Sequence, residues 1–202
     1  MKKVVFSLII CFVTTVASYS QIKVGIRGGA NFNNVKILQQ PDDYLMSFDR
    51  GVGLHIGLTG QVQLFRLYVQ PELILSTISN GVTLEGIQQN GYQEVGNQRF
   101  NKLDIPIYGG LKFDNNFKIG IGPVFSYVLS QKTSLESGYE LYRTKATVGY
   151  QMGAGFDYDR FNIELRYEGN LSKLGAGVKI GDSVYNFDNR ISQLILTMAI
   201  YL

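Results

Sequence analysis

Apolar and polar residues alternate along most of the chain, in runs of about ten residues. The stretch KLDIPIYGGLK, residues 102–112, is typical because every second residue in it is apolar or glycine. Alternation with a period of two indicates a β-strand with one apolar and one polar face. The sequence predicts eight strands, over residues 22–33, 51–60, 66–77, 102–112, 117–128, 145–157, 161–170 and 191–202.

The connections between these runs alternate in length. Tight turns carry Asn and Asp where turn geometry favours them, as in KFDNNFK and FDYDRF. Short turns at one end and long loops at the other are typical of an up-and-down barrel, and an even strand number places both termini on the short-turn side. The sequence therefore predicts an all-β fold, an eight-stranded antiparallel up-and-down transmembrane β-barrel. The long links, rich in polar residues, are 34–50, 78–101, 129–144 and 171–190.

The distribution of charge indicates which face of the barrel looks outward. The apolar face contains no charged residue in any of the eight runs, whereas the opposite face carries many. Ions in a barrel interior are tolerated only when they pair and form hydrogen bonds with one another. We therefore predict a polar network in the lumen, formed by Arg27, His55, Glu72, Lys102, Asp104, Lys118, Glu164, Arg166 and Glu168.

Aromatic residues flank the aliphatic middle of the apolar face, as they do at the two interfaces of a bilayer. Since lipid cannot hydrogen-bond an open sheet edge, the eight strands must close, and a barrel of this size has room only for side chains. A soluble lipocalin-like carrier would need the inverse facing. The predicted lipid-interface aromatics are Phe117, Phe125, Tyr127, Tyr150, Phe156, Phe161 and Tyr167.

Three prolines, Pro71, Pro106 and Pro123, fall inside predicted strands. Proline lacks a backbone N–H, and a closed barrel has no edge strand on which this is harmless. Each therefore requires a bulge or a position whose N–H is not needed.

The N-terminus has the pattern of an export signal. Two lysines precede an apolar run over residues 4–13, and Ser18 and Ser20 are small residues before a cleavage point. This run is too short for a spanning helix. We predict a signal peptide over 1–20 and a barrel domain over 21–202.

Composition excludes several kinds of chemistry. The chain has 202 residues and one cysteine, Cys11, which lies inside the predicted signal peptide. The mature chain would then contain no disulfide and no cysteine metal site. The formal net charge is +3 without a basic run, which gives no indication of nucleic-acid binding.

His55 is the only histidine, so any histidine-based mechanism depends on it. It is predicted to face the lumen in mid-strand, where a structural role is expected. One histidine with scattered carboxylates has no metal-ligand spacing, and the inward carboxylates fit an ion-pair network better than acid–base catalysis. We predict no catalytic residue, no metal and no cofactor.

Five segments in order carry a family resemblance: GIRGGANFN, LYVQPELILS, KLDIPIYGGLKF, GIGPVFSYVLS and GAGFDYDRFNIELRYEGNLS. Together they resemble the PorT-type outer-membrane β-barrel family of Bacteroidota-like bacteria, over residues 21–202. The resemblance implies an eight-stranded barrel in the bacterial outer membrane. The member that gives the family its name is linked to protein secretion across that membrane.

We therefore expect an integral outer-membrane β-barrel, surrounded by outer-membrane lipid, with a side-chain-filled lumen. It would have a structural or binding role, with protein partners at the loops 34–50, 78–101, 129–144 and 171–190. An accessory role in protein secretion and an outer-membrane hydrolase are the alternatives. Co-purifying secretion subunits would indicate the first, and loss of activity in a folded His55→Ala variant would indicate the second.

Overall fold

The protein is built almost entirely of β-strands. A computed structural model describes residues 21–39, 44–48, 51–86, 93–114, 116–133, 140–142, 146–172, 176–180 and 183–202, so the predicted signal peptide lies outside the described residues. Within these ranges no helix is long and apolar enough to cross a membrane. The strands are β1 (Gln21–Gln39), β2 (Tyr44–Phe48), β3 (Gly51–Leu64), β4 (Leu67–Gly86), β5 (Gln93–Lys112), β6 (Phe117–Thr133), β7 (Glu140–Tyr142), β8 (Ala146–Tyr158), β9 (Phe161–Asn170), β10 (Ala176–Ile180) and β11 (Ser183–Tyr201).

Eight of these strands form a closed antiparallel barrel. In the order β1, β3, β4, β5, β6, β8, β9 and β11, each strand pairs with the next. The last strand returns to the first, with Gly25 opposite Tyr201 and Phe32 opposite Leu194. The prediction of an eight-stranded antiparallel barrel is confirmed.

Short turns join the barrel strands at the end that also holds Gln21 and Leu202. These turns follow β3, β5 and β8. Among the described residues, each contains a residue with a positive φ angle, namely Phe65 (54°), Asn116 (64°) or Asp159 (53°). Asn and Asp tolerate this left-handed conformation, whereas a bulky residue such as Phe65 rarely adopts it.

Strand structure continues far into the segments expected to be loops. β1, β4, β5, β6 and β11 all extend beyond their predicted limits on the loop side, β2 pairs with β4, and β10 pairs with β11 and β7. The prediction of loops over 34–50, 78–101, 129–144 and 171–190 is therefore wrong for much of their length. Outside the membrane both faces of a strand meet water, so pairing persists while the apolar residues no longer keep the parity that identified the strands.

The three prolines coincide with gaps in the hydrogen-bonded ladders. Pairing is interrupted on three consecutive seams, while the two register irregularities lie elsewhere, at Ile37/Gln39 and Asn101/Lys102. The prolines thus occupy positions where the missing N–H is not needed for pairing. The gaps fall between Thr59↔Glu72 and Val62↔Val69, between Pro71↔Ile107 and Ile74↔Asp104, and between Pro106↔Val124 and Gly109↔Ile121.

Two glycines on opposite faces of the wall allow a test of how tightly the lumen is packed. A Cβ on Gly120 would lie 2.5 Å from the Tyr68 hydroxyl and 2.6 Å from a Tyr108 ring carbon, whereas a Cβ on outward-facing Gly60 would meet nothing closer than 3.9 Å. Gly120→Ala should destabilise the barrel by about 1–3 kcal/mol through overpacking. Gly60→Ala should change stability by less than about 1 kcal/mol. Urea unfolding in lipid vesicles measures both, and equal losses would contradict a packed lumen.

Candidate functional site

The centre of the lumen is a group of four charged side chains from β1, β4 and β9. Arg27 contacts both Glu72 and Glu164, the latter with an Nη2–Oε2 distance of 2.9 Å. Arg166 likewise contacts both carboxylates, with 2.8 Å between its Nη2 and Glu72 Oε1. All four side chains are at most 2% exposed. Two guanidinium groups and two carboxylates therefore neutralise one another away from water.

Toward the short-turn end, the network continues through two lysines. Lys118 Nζ lies 2.5 Å from Glu164 Oε1 and 3.3 Å from Asp157 Oδ1. Lys112 Nζ lies 2.7 Å from the other oxygen of the Asp157 carboxylate. Two glutamines accept hydrogen bonds from Lys118, at 3.1 Å for Gln70 and 3.4 Å for Gln61.

Tyrosine rings line the same end of the lumen. The Tyr68 and Tyr108 ring centroids are 6.2 Å apart. The Arg166 guanidinium carbon lies 4.0 Å from the Tyr108 ring centroid, within the range of a cation–π contact. The Tyr201 hydroxyl donates to Gln61 Oε1 at 3.1 Å. These tyrosines close the lumen with packed rings held by cations and hydrogen bonds.

Toward the loop end, the network continues through β5, β8, β9 and β11. Lys102 Nζ lies 3.2 Å from Asp104 and 3.3 Å from Glu168. Both Gln151 and Gln193 donate to Glu168, each at 2.6 Å. Gln151 also accepts from Arg166 Nη1 at 3.1 Å. Because Gln151 bonds both Glu168 and Arg166, one chain of polar contacts runs from Lys102 through the central group to Lys112.

The lumen has almost no free space at this level. The cavity among Arg27, His55, Glu72, Asp104 and Glu168 measures about 20 Å³. A single water molecule needs about 10–15 Å³, so this cavity holds roughly one water. An open aqueous channel does not pass through this layer.

The structure places all nine predicted network residues inside the barrel, all of them buried. His55 joins them through neutral neighbours: its Nδ1 is 2.7 Å from Asn31 Oδ1, and its Nε2 is 3.1 Å from Thr197 Oγ1. Both ring nitrogens therefore have structural partners. Among the described residues, no group of three or more His, Cys, Asp or Glu side chains is arranged to hold a metal ion.

Several lumen residues were missed in the sequence. Their positions have inward parity, so the alternation that identified the strands was sufficient to find them. Charge identifies only part of this network, since its tyrosines, glutamines and Thr197 carry none, and Asp157 is the last residue of its predicted strand. The missed residues are Gln61, Tyr68, Tyr108, Asp157, Gln193, Thr197 and Tyr201.

The seven predicted interface aromatics lie on the outer surface, in two groups. Phe117, Phe156 and Phe161 are near the short turns, where Phe117 pairs with Phe156 across β6 and β8. The other four lie toward the loop end, where the Tyr150 and Tyr167 ring centroids are 6.3 Å apart. Tyr150 is half-buried, and the other six are exposed. The four aromatics toward the loop end are Phe125, Tyr127, Tyr150 and Tyr167.

An apolar outer wall around a filled, ionic lumen defines a transmembrane β-barrel. The family model described as "Outer membrane protein beta-barrel domain" matches residues 16–176. The chain belongs to this family, and the family places the protein in the bacterial outer membrane. Comparison with curated proteins gives no match.

The solved structures to which this chain is similar have low sequence identity to it. Neisserial surface protein A is 9% identical with a TM-score of 0.52, covering 88% of this chain and 96% of that one. Outer membrane protein AlkL, solved in lipid bilayers, is 12% identical with a TM-score of 0.49, covering 88% and 90%. Ail of Yersinia pestis, in complex with a heparin analogue, is 15% identical with a TM-score of 0.43, covering 90% and 99%. At these identities the likeness to Neisserial surface protein A concerns the fold alone.

Proposed function

We propose that the protein is a non-enzymatic display scaffold: a filled, rigid barrel that holds an extended loop-side wall outside the cell for binding a protein partner. The observation that carries this proposal is the combination of a filled lumen with strands that continue beyond the membrane. A cavity of about 20 Å³ admits no solute. The loop-side extensions therefore remain as the part available for recognition.

The extensions give the loop side a defined framework. β4 and β5 stay paired as far as Glu85 opposite Gln93, well past the aliphatic part of the wall. On the other side of the barrel, β10 adds to β11 and carries β7 at its edge. Binding residues held on paired strands are positioned more accurately than residues on long free loops.

Photo-crosslinking in intact cells tests whether the protein binds its partner at the loop end, outside the cell, or at the short-turn end, in the periplasm. A photoreactive residue at position 87, in the connection between β4 and β5, should give specific crosslinks to a protein on the cell surface. The matched position is Phe65 at the opposite end, which is 88% exposed and should give none. Crosslinks from position 65 alone would contradict the display role and favour action at the periplasmic side.

The second candidate is an accessory role in protein secretion. The resemblance to the PorT-type family supports it, as does the exposed apolar surface at the short-turn rim, where Phe65, Tyr158 and Leu202 are among the most exposed side chains. Such a role requires contact with secretion subunits. If these subunits co-purify with the protein and crosslink to position 65, the secretion role is favoured over the display role.

We propose no hydrolase activity. A general base must reach the proton it abstracts, and it usually operates in a site open to substrate. His55 is buried, and both of its ring nitrogens lie within hydrogen-bond distance of Asn31 and Thr197. These contacts support a structural role for the single histidine.

A further inference from the structure

Three buried polar atoms beside the small lumen cavity have no hydrogen-bond partner among the described residues. They are Asp104 Oδ1 on β5, Arg166 Nε on β9 and Gln193 Oε1 on β11. All three residues line the cavity of about 20 Å³ and are at most 3% exposed. Every residue around this cavity belongs to the described part of the chain. We call these atoms the three-atom site.

The rest of each side chain is held in place by other contacts. Asp104 Oδ2 accepts a hydrogen bond from Ser76 Oγ at 2.8 Å, and both Nη atoms of Arg166 bond a carboxylate of the central group. Gln193 Nε2 donates to Glu168 at 2.6 Å, so an amide flip would turn the Gln193 oxygen toward a carboxylate. The three free atoms therefore cannot gain a partner by reorientation without breaking these bonds.

The chemistry of the three-atom site selects one kind of ligand. The site presents two acceptors and one donor, so a fitting ligand must donate two hydrogen bonds and accept one. A cation would lie against the Arg166 guanidinium, and an anion would lie against the Asp104 carboxylate, so either ion meets a like charge at short range. Water is neutral and both donates and accepts. A single water needs about 10–15 Å³ and two to four polar partners, which this cavity supplies.

We propose that the three-atom site binds one long-lived water molecule. The water donates to Asp104 Oδ1 and to Gln193 Oε1, and it accepts from Arg166 Nε. Buried waters commonly satisfy polar groups that no side chain reaches, and they are costly to remove because those groups would then lose their partner. This water is therefore an integral part of the lumen network and not a passing solvent molecule.

The water braces the lumen across its width. In the wall order β5, β6, β8, β9 and β11, the strands that carry Asp104 and Gln193 are four places apart, on opposite sides of the eight-stranded ring. The bridge also adds a second link between the Lys102–Asp104 pair and Arg166, beside the one that runs through Glu168 and Gln151. The inference does not depend on the display role, because it concerns the barrel interior and not the loop-side wall.

The test is a rotating-frame Overhauser measurement by NMR on the full barrel in phosphatidylcholine nanodiscs. The wild type should show a cross-peak between the water resonance and the Arg166 Nε–H, with the sign of a through-space contact and not of proton exchange. The Gln193→Met variant keeps the length of the side chain but removes the acceptor, so it should lose this cross-peak. Heat-dependent gel migration would verify that the variant is folded.

The matched control is Gln151→Met. Gln151 lines the same cavity and also donates to Glu168 at 2.6 Å, but it contributes no atom to the three-atom site, so this variant should keep the cross-peak. A wild type without the cross-peak overturns the proposal even where a variant fails to fold. Persistence in Gln193→Met or equal loss in both variants would also overturn it. If sodium chloride abolishes the wild-type cross-peak, the cavity binds an ion and the water assignment is wrong.

Discussion

Replacing Glu164 by leucine is expected to lower the free energy of unfolding in lipid by about 3–5 kcal/mol, the cost of leaving buried charges without a partner. Glu164 contacts Arg27, Arg166 and Lys118. Its loss leaves Glu72 facing both guanidinium groups alone. Urea titration of the refolded barrel in vesicles, followed by tyrosine fluorescence, measures the difference.

Two controls separate burial of the charge from loss of an ion pair in general. Asp114→Asn breaks the exposed pair with Arg66, in which Arg66 Nη2 lies 2.7 Å from Asp114 Oδ2, and should cost less than about 1 kcal/mol. Glu164→Gln keeps the shape but removes the charge, so it should fall between the other two variants. If Glu164→Leu and Asp114→Asn are equally stable, the lumen network does not stabilise the barrel.

Replacing Ile121 by arginine should destabilise the barrel by about 2–4 kcal/mol, the cost of a cation at the bilayer midplane. Ile121 is 60% exposed on the outer face of β6, between Ile119 and Phe125. The arginine would have to extend toward an interface or draw water into the hydrocarbon. The unfolding free energy in phosphatidylcholine vesicles measures this cost.

The matched substitution is Leu129→Arg on the same strand, at the loop-side end of the aliphatic surface. Leu129 also faces outward, and arginine near the interface should cost only about 0–1 kcal/mol. The ratio of the two losses in unfolding free energy reports the depth of each position within the membrane. Equal costs would mean that β6 does not cross a bilayer in the assigned register.

Alternation was sufficient to predict the barrel because the membrane enforces it. Each crossing strand meets lipid on one face and the lumen on the other, so KLDIPIYGGLK carries the signal in every residue pair. Closure of the sheet into a barrel could be predicted from the lipid around it, since lipid offers no hydrogen-bond partner to an open strand edge. The facing of Arg27, Glu72 and Arg166 followed from the same parity.

The loop-side extensions had no comparable signal. In VTLEG, the loop-side end of β4, the apolar residues Val82 and Leu84 have the opposite parity to the apolar residues between Leu67 and Leu75, and QEVGN in β5 shows no regular alternation. Neither face needs to be apolar there, so the pattern does not continue. The individual side-chain contacts in the lumen could not be predicted from the sequence either. That Arg166 reaches both Glu72 and Gln151 depends on side-chain length and on the space left by Gly153, whose added Cβ would lie 3.0 Å from Arg166 Cγ.

The seam between β1 and β11 sets the order in which the barrel can be completed. Every other wall seam joins strands that are neighbours along the polypeptide or separated by one short strand, whereas this one joins the two ends, with Gly25 opposite Tyr201. Contacts of such large sequence separation form late. Until β11 arrives, β1 and β9 are unpaired edges that lipid cannot satisfy. A chain without β11 therefore leaves two strand edges unpaired in lipid and cannot form a stable membrane barrel. Only a chain synthesised through β11 can complete the wall.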